Sequence, residues 1–119
     1  MRMWDIPPEM LCNQHLLGEH LELHMFVGAI KAGTSLTGYI RDGLVETGRL
    51  QERHDLLVGE MLDRGMRHES PLDQPSIEPQ GHINRQKNVL DLCLRCESCQ
   101  RRILNAPAEI HHRLNREPV

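Results

Sequence analysis

Apolar residues recur at helical spacing in three segments of the chain, which predicts three main helices. In the first segment, Pro7-Pro8-Glu9 is typical of a helix start and Ala32-Gly33 of a helix end. Leu16, Leu23 and Phe26 widen the apolar stripe, as expected for a helix that is buried on more than one side. The stripe itself is formed by Leu11, Leu17, Leu21, Met25 and Ile30.

The second helix is predicted over residues 50–64, with Gly65 as its C-terminal cap, and the third over residues 84–104. Glycines in residues 33–48 predict a loop with one short helical turn, and prolines exclude a regular helix from residues 66–82. The predicted inward positions are Leu56, Leu57, Met61 and Leu62 in the second helix, and Val89, Leu92, Cys93, Cys96, Cys99 and Ile103 in the third. We expect an all-α single domain over residues 1–105 and a polar tail over residues 106–119.

Composition adds three limits to this picture. A chain of 119 residues accommodates one domain with a modest core. Aromatic residues are 3% of the chain, so the core depends on Leu, Ile, Val and Met. No apolar run has the length of a membrane-spanning helix, and the N-terminal residues lack a signal-peptide pattern. We therefore expect a cytoplasmic protein without a membrane partner.

The segment Gln14–His24 concentrates acid–base groups on the first predicted helix. His15, Glu19 and Glu22 follow at spacings of four and three residues and share one face, while His20 and His24 form a second pair one turn apart. Glu22 is flanked by two leucines, and a carboxylate in such surroundings is suited to proton transfer near neutral pH. The alternative for Glu22 is an ordinary surface glutamate.

These residues also resemble a known family. The run from Cys12 to Leu23, followed by Phe26-Val27-Gly28-Ala29, resembles the first helix of the pyrimidine-dimer DNA glycosylases of the endonuclease V type. Residues 53–65 resemble that family's second long helix, and residues 95–103 resemble its last helix more loosely. The resemblance extends over residues 1–104 in chain order. It implies an all-α protein, bacterial or phage-encoded, that acts at the nucleoid.

The resemblance implies a DNA repair glycosylase with abasic-site lyase activity on damaged pyrimidines such as pyrimidine dimers. It places Met1 at the position of the family's nucleophile, a backbone α-amine that attacks C1′ of the sugar and forms an imine. It places Glu22 on the catalytic glutamate and Arg2 on the arginine that follows the nucleophile. Since methionine is poorly removed before arginine, the amine of Met1 itself is the predicted nucleophile. No cofactor is implied.

The expected partner is double-stranded DNA containing a lesion, bound by a monomer. By the resemblance, Gln14 and His15 line the site with Arg2. Glu19 is a further predicted substrate-binding residue. The family does not usually carry histidine at the positions of His20 and His24, which we expect to be exposed or to line the DNA-binding groove. The formal net charge is −3, whereas proteins that bind DNA usually have a basic excess, so any DNA footprint must be local. The one dense basic cluster is either that footprint or a solvated helix end. It consists of Arg95, Arg101, Arg102, Arg113 and Arg116. The family's phosphate-gripping arginines on the first helix are replaced here by Leu21 and Met25.

The cysteines pose a separate question. Cys93, Cys96 and Cys99 are spaced too closely along one helix for a disulfide framework. Cys12 and His15 with Cys96 and Cys99 match the donors of a three-cysteine, one-histidine zinc site, but on a continuous helix Cys93 and Cys99 diverge by about 120°. We therefore expect small buried residues and no metal. Two alternative functions stay open: a non-catalytic or repurposed helical module that binds DNA or protein, and a zinc-stapled interaction domain.

Overall fold

Residues 1–115 of the computed structural model form six α-helices and two short 3₁₀ turns, and no strand occurs among them. The predicted all-α class is confirmed. The 3₁₀ turns are Pro8–Met10 and Thr47–Arg49. The helices are α1 (Asn13–Lys31), α2 (Thr37–Arg41), α3 (Leu50–Asp63), α4 (Arg85–Arg95), α5 (Glu97–Asn105) and α6 (Ala108–His112).

Helix α1 begins later than the prolines predicted. Pro8–Met10 is a separate 3₁₀ turn, and Leu11 and Cys12 then adopt extended backbone, with ψ of 135° and 166°. The prediction of a helix start at Pro7-Pro8-Glu9 was therefore wrong. The end is as predicted, since α1 stops at Lys31 and Gly33 has a φ of 74°.

The core face of α1 is also different from the predicted stripe. Leu17, Leu21 and Met25 are 44%, 61% and 49% exposed, whereas the residues predicted only to widen the stripe are buried. Glu19 also lies on the buried face, and because it is charged, the pattern of apolar residues does not indicate that face. The buried set is Leu16, Glu19, Leu23, Phe26 and Val27.

Helix α3 packs against α1 and follows the prediction in its bounds. Gly65 has a φ of 80°, in the left-handed region that suits a helix C-cap. Leu57 and Met61 are buried as predicted, but Leu56 and Leu62 are exposed, because Arg53 and His54 turn inward instead.

The predicted third helix is two helices separated at Cys96, so the prediction of one continuous helix was wrong. Cys96 has extended backbone, with φ −138° and ψ 110°, between α4 and α5. Its Sγ accepts a hydrogen bond from the Cys99 backbone N–H at 3.4 Å and so caps α5. A side chain that bonds a nearby backbone N–H in this way competes with the continuing helix. Asn84 caps α4 in the same manner, through Lys87 N–H at 3.0 Å.

The residues before α1 form part of the core. Met3, Trp4 and Ile6 are 0%, 6% and 1% exposed, and Met10 and Leu11 are fully buried. The Met3 backbone N–H donates to the Leu44 carbonyl at 2.7 Å. The N-terminal segment is thereby held between the helices.

The loop over residues 66–82 lacks regular secondary structure, as predicted, and returns to the start of α3. Thr47 N–H donates to the Gln80 carbonyl at 2.9 Å, and Gln80 N–H donates to Thr47 Oγ1 at 2.8 Å. Gly81 follows with a φ of 94°, and a Cβ built on it would lie 2.1 Å from the Val45 carbonyl oxygen. Only glycine fits this close approach.

Part of the predicted polar tail is folded. Helix α6 lies in it, and Leu114 is 9% exposed against the core. The division at residue 105 stays a prediction, and Arg116 lies outside the described residues. No helix within residues 1–115 combines the length and apolar character needed to cross a bilayer.

We expect Gly81→Ala to lower the free energy of unfolding by about 2–4 kcal/mol, because the methyl group meets the Val45 carbonyl and the backbone conformation disfavours a side chain. The matched control is Gly59→Ala in α3, where nothing lies within 4 Å, and this variant should gain up to about 1 kcal/mol. Urea unfolding measures both. Equal stability of the Gly81 variant and the parent protein would contradict the packing of this loop.

Candidate functional site

The two residues predicted to be catalytic are neighbours. The Arg2 backbone N–H donates to Glu22 Oε2 at 2.9 Å, and Glu22 is half-buried on α1. Covalent geometry keeps the Met1 α-amine within about 3.7 Å of the Arg2 nitrogen. The amine and the carboxylate are thus within about 7 Å of each other, and their catalytic roles stay predictions.

The Arg2 side chain anchors the N-terminal segment to α4. Its guanidinium carbon lies 3.9 Å from the Trp4 ring centroid, a cation–π contact. Its Nη2 donates to Asn88 Oδ1 and to Asp91 Oδ2, the latter at 3.2 Å. The buried Asn88 in turn donates from Nδ2 to the Trp4 carbonyl at 2.6 Å. Arg2 therefore positions the segment next to Glu22.

Arg95 lies in the same neighbourhood. Burial and the positive charge of Arg95 lower the pKa of the Arg2 guanidinium, although Asp91 and Glu22 act in the opposite direction. Arg95 is exposed at the C-terminal end of α4. The predicted residues Met1, Arg2, Glu22 and Arg95 are thus brought to one region of the surface.

Glu19 is in the core and not in a groove. It is 1% exposed and forms a two-pronged ion pair with Arg53, with Nε–Oε2 at 2.7 Å and Nη2–Oε1 at 2.9 Å. Arg53 Nη1 also donates to the Ile6 carbonyl at 2.7 Å. This place differs from the substrate-binding position predicted for Glu19, because the guanidinium draws the carboxylate inward. The position of Arg53 was foreseeable, since it precedes Leu57 and Met61 by four and eight residues on one helix face.

A cavity of about 470 Å³ lies beside this ion pair, and Met1 and Glu22 are outside its lining. Asp5 lines it with a φ of 56° and accepts hydrogen bonds from Arg49 Nη1 at 2.7 Å and Arg85 Nε at 3.0 Å. Burial alone would raise the pKa of Asp5, but the Arg49 hydrogen bonds and the charges of Arg53, Arg49 and Arg85 hold it below its ordinary value. The carboxylate is therefore charged and fully partnered.

Three further predicted residues surround a shallow depression at the start of α1. Gln14, Arg101 and Arg102 line it, and all three are exposed. Arg101 pairs with Glu97 at 3.0 Å, and Arg102 Nε donates to the Glu9 carbonyl at 2.9 Å. Their guanidinium groups are accessible to a phosphate backbone.

The imidazoles of His20 and His24 are drawn into a cluster with His54 and His68. Neighbouring rings lie 4.8–5.1 Å apart between centroids. Burial, followed by the charges of His54, His24 and His68, lowers the pKa of His20 to about 4. His54 and His68 were not among the predicted site residues. For His54 the signal was its place three and seven residues before Leu57 and Met61 on the core face of α3.

A second cluster joins Cys12 and His15 with Cys96 and Cys99. The Cys12 Sγ lies 3.2 Å from His15 Nδ1 and 3.8 Å from Cys96 Sγ. Burial raises the pKa of the Cys99 thiol to about 12, whereas the hydrogen bond from Cys99 N–H helps lower that of Cys96. His15 also contacts the edge of Trp4, with ring centroids 6.1 Å apart.

We expect Glu19→Gln to destabilise the protein by about 3–5 kcal/mol, because it leaves the buried Arg53 charge without a carboxylate. Glu97→Gln is the matched control, since its pair with Arg101 is exposed and its loss should change stability by less than about 0.5 kcal/mol. Thermal and denaturant unfolding measure both variants. A Glu19 variant as stable as the Glu97 variant would show that the buried pair does not hold the fold.

A family model described as pyrimidine dimer DNA glycosylase matches residues 1–74, which include the N-terminal segment, α1 and α3. No curated protein and no solved structure gives a match. The match does not extend to α4 and α5, so the resemblance of residues 95–103 stays a prediction. Because the matched range is more than half of the chain and contains both Met1 and Glu22, the chain belongs to the pyrimidine dimer DNA glycosylase family.

Proposed function

We propose that the protein is a DNA glycosylase with an associated abasic-site lyase activity, acting on damaged pyrimidines in double-stranded DNA. The observation that carries this proposal is the hydrogen bond from the Arg2 backbone N–H to Glu22 in a member of this family. It holds a carboxylate beside the first peptide group, and the Met1 amine is one residue away.

In the proposed reaction the unprotonated amine of Met1 attacks C1′ of the damaged nucleotide. The C1′–N bond breaks, and the base leaves with the bonding electrons and one of the two protons that the amine gives up. The C1′–O4′ bond then breaks, O4′ takes the second proton, and an imine forms between Met1 and C1′. An α-amine suits this role because it is less basic than a lysine side chain and is partly unprotonated at neutral pH.

Glu22 acts as the acid–base group in this proposal. Its carboxylate accepts the C2′ proton from the imine, the C3′–O bond breaks, and the strand is cut by β-elimination. Water then hydrolyses the imine and releases Met1. The damaged nucleotide must leave the base stack before the amine can reach its C1′ atom. The free energy required is smallest at a damaged site.

Arg2 is a positioning residue, because its guanidinium is engaged by Trp4, Asn88 and Asp91. Arg95, next to it and exposed, is placed to contact a phosphate. Gln14, Arg101 and Arg102 offer a second contact region for the backbone. His15 contacts Trp4 and Cys12, and we assign it a positioning role.

One observation favours a second candidate, a repurposed member without catalysis. Leu21 and Met25 are 61% and 49% exposed at positions where the family carries phosphate-gripping arginines. An apolar surface there weakens binding to phosphates. Such a protein keeps the fold but forms no covalent bond to DNA, so trapping the intermediate separates the two candidates.

We expect borohydride to trap a covalent complex between the untagged protein and duplex DNA that carries an abasic site or a pyrimidine dimer. Reduction converts the imine to a stable amine, which is seen as a shifted band in denaturing electrophoresis and located by peptide mass at Met1. A protein with an uncleaved N-terminal extension is the control and should not trap, because its Met1 nitrogen is an amide. Equal trapping by both forms would exclude Met1 as the nucleophile.

We expect Glu22→Gln to fold and bind lesion DNA as the parent protein does, and to lose strand cleavage by about 100-fold or more, because an amide does not accept the C2′ proton. Cleavage of an abasic-site duplex, compared with binding and unfolding curves, measures this difference. Glu109→Gln on α6 is the matched surface control and should cleave normally. Cleavage by the Glu22 variant at the parental rate would assign proton transfer to another group.

A further inference from the structure

We propose that Cys12, His15, Cys96 and Cys99 bind one structural zinc ion that joins the start of α1 to the junction of α4 and α5. The four ligand atoms all lie within 4.8 Å of one another. Two sulfurs bound at about 2.3 Å to a tetrahedral zinc lie about 3.8 Å apart. The Cys12 and Cys96 sulfurs are separated by 3.8 Å, and His15 Nδ1 is 3.2 Å from Cys12 Sγ.

The backbone prepares this arrangement. Cys12 and Cys96 are both extended residues immediately before a helix, and His15 and Cys99 follow each of them by three residues. The ligands therefore come in two pairs, each on the first turn of a helix. The break at Cys96 removes the geometric objection to a zinc site, which assumed one continuous helix through Cys93, Cys96 and Cys99.

Backbone N–H groups support the sulfurs from outside. Cys12 N–H donates to Cys99 Sγ at 3.3 Å, and Cys99 N–H donates to Cys96 Sγ at 3.4 Å. Hydrogen bonds of this kind, together with two helix N-termini, stabilise the negative charge that three thiolates bring to a zinc ion. The donor set of three sulfurs and one nitrogen favours zinc, and four protein ligands make a closed, structural site.

The zinc site would connect the part of the chain that matches the family model to the part that lies beyond the match. Cys12 and His15 lie within residues 1–74, which the model matches, whereas Cys96 and Cys99 lie beyond them. The depression lined by Gln14, Arg101 and Arg102 also includes Cys12. Zinc at this place would therefore fix the position of the basic residues of α5 relative to α1.

The geometry points independently to a second metal site at His20, His24, His54 and His68. Their ligand atoms also lie within 4.8 Å of one another. The Nε2 atoms of His20, His24 and His68 are buried and have no hydrogen-bond partner. Buried polar atoms are normally paired, so three unpaired nitrogens in one cluster indicate a missing partner.

His54 completes this second set from α3. Its Nδ1 lies 3.0 Å from Asp55 Oδ1 and its Nε2 lies 3.2 Å from the Ser70 carbonyl oxygen. A neutral imidazole carries one ring proton, so donation from Nδ1 to Asp55 leaves Nε2 with a lone pair that the Ser70 carbonyl cannot satisfy and that a metal ion can accept. Four imidazoles suit a divalent transition-metal ion such as zinc. This ion would tie the loop over residues 66–82 to α1 and α3.

The test is the metal content of the full chain, produced without a polyhistidine tag and loaded with zinc before gel filtration. Elemental analysis should find two zinc ions per chain. Cys96→Ser/Cys99→Ser should lose one of them, whereas the matched control Cys93→Ser should keep both, since Cys93 is outside the cluster. His24→Asn should lose the other ion, and the exposed His112→Asn should lose none.

Cobalt replacement keeps both proposals testable where a variant fails to fold. Cobalt-loaded parent protein should show near-ultraviolet thiolate-to-cobalt absorption from the cysteine site, and X-ray absorption on the zinc protein should show both sulfur and nitrogen neighbours.

Absence of zinc and of thiolate absorption would overturn the cysteine site. A parent protein that binds a single ion, lost in the double cysteine variant, would overturn the histidine site and leave the first in place. These readouts are independent of DNA cleavage.

Discussion

The buried guanidinium of Arg53 is the constraint on which the arrangement of the domain depends. It donates hydrogen bonds to both carboxylate oxygens of Glu19 on α1 and to the Ile6 carbonyl in the N-terminal segment, while its own backbone belongs to α3. A charge that is 2% exposed must be fully partnered, since an unpaired ion in the core is strongly destabilising. These bonds join α1, α3 and the N-terminal segment through a single side chain.

The same constraint explains why the first residues are ordered. A terminal segment normally frays, but here Met3, Ile6 and Met10 fill the core and Arg2 is tied to α4. Asp5 adds a second anchor through Arg49 and Arg85. An amine at the end of such a segment has little freedom to lose when it attacks a sugar, which is the advantage that preorganisation gives to a catalyst. The rigidity of the core thus serves the proposed chemistry directly.

Local signals in the sequence predicted much of this structure. The end of α1 at Ala32-Gly33, the Gly65 cap and the proline-rich loop follow from backbone preferences, and those preferences act over a few residues. The pairing of Glu22 with the N-terminal residues was predicted from the resemblance to the family. The core face of α1 was not predictable from apolar residues alone, because Glu19 is buried only through a partner 34 residues away in sequence. The break at Cys96 likewise depends on one side chain that caps α5.

Helix α1 supplies groups to three separate centres, and its geometry keeps them apart. His20 and His24 join α3 and the following loop, Glu22 meets the N-terminal segment, and Cys12 and His15 meet the α4–α5 junction. With a rotation of about 100° per residue, His20 and Glu22 point about 160° apart, so a metal at the histidines is on the opposite side of α1 from the proposed nucleophile. Metal ions at the two clusters would therefore hold α1 in place without entering the reaction. The chain has 119 residues with 3% aromatic side chains. A metal ion that binds only the folded state would add to its stability. In this protein the two metal ions would act on the helix that also carries Glu19 and Glu22, where any displacement would separate the carboxylate from the chain terminus.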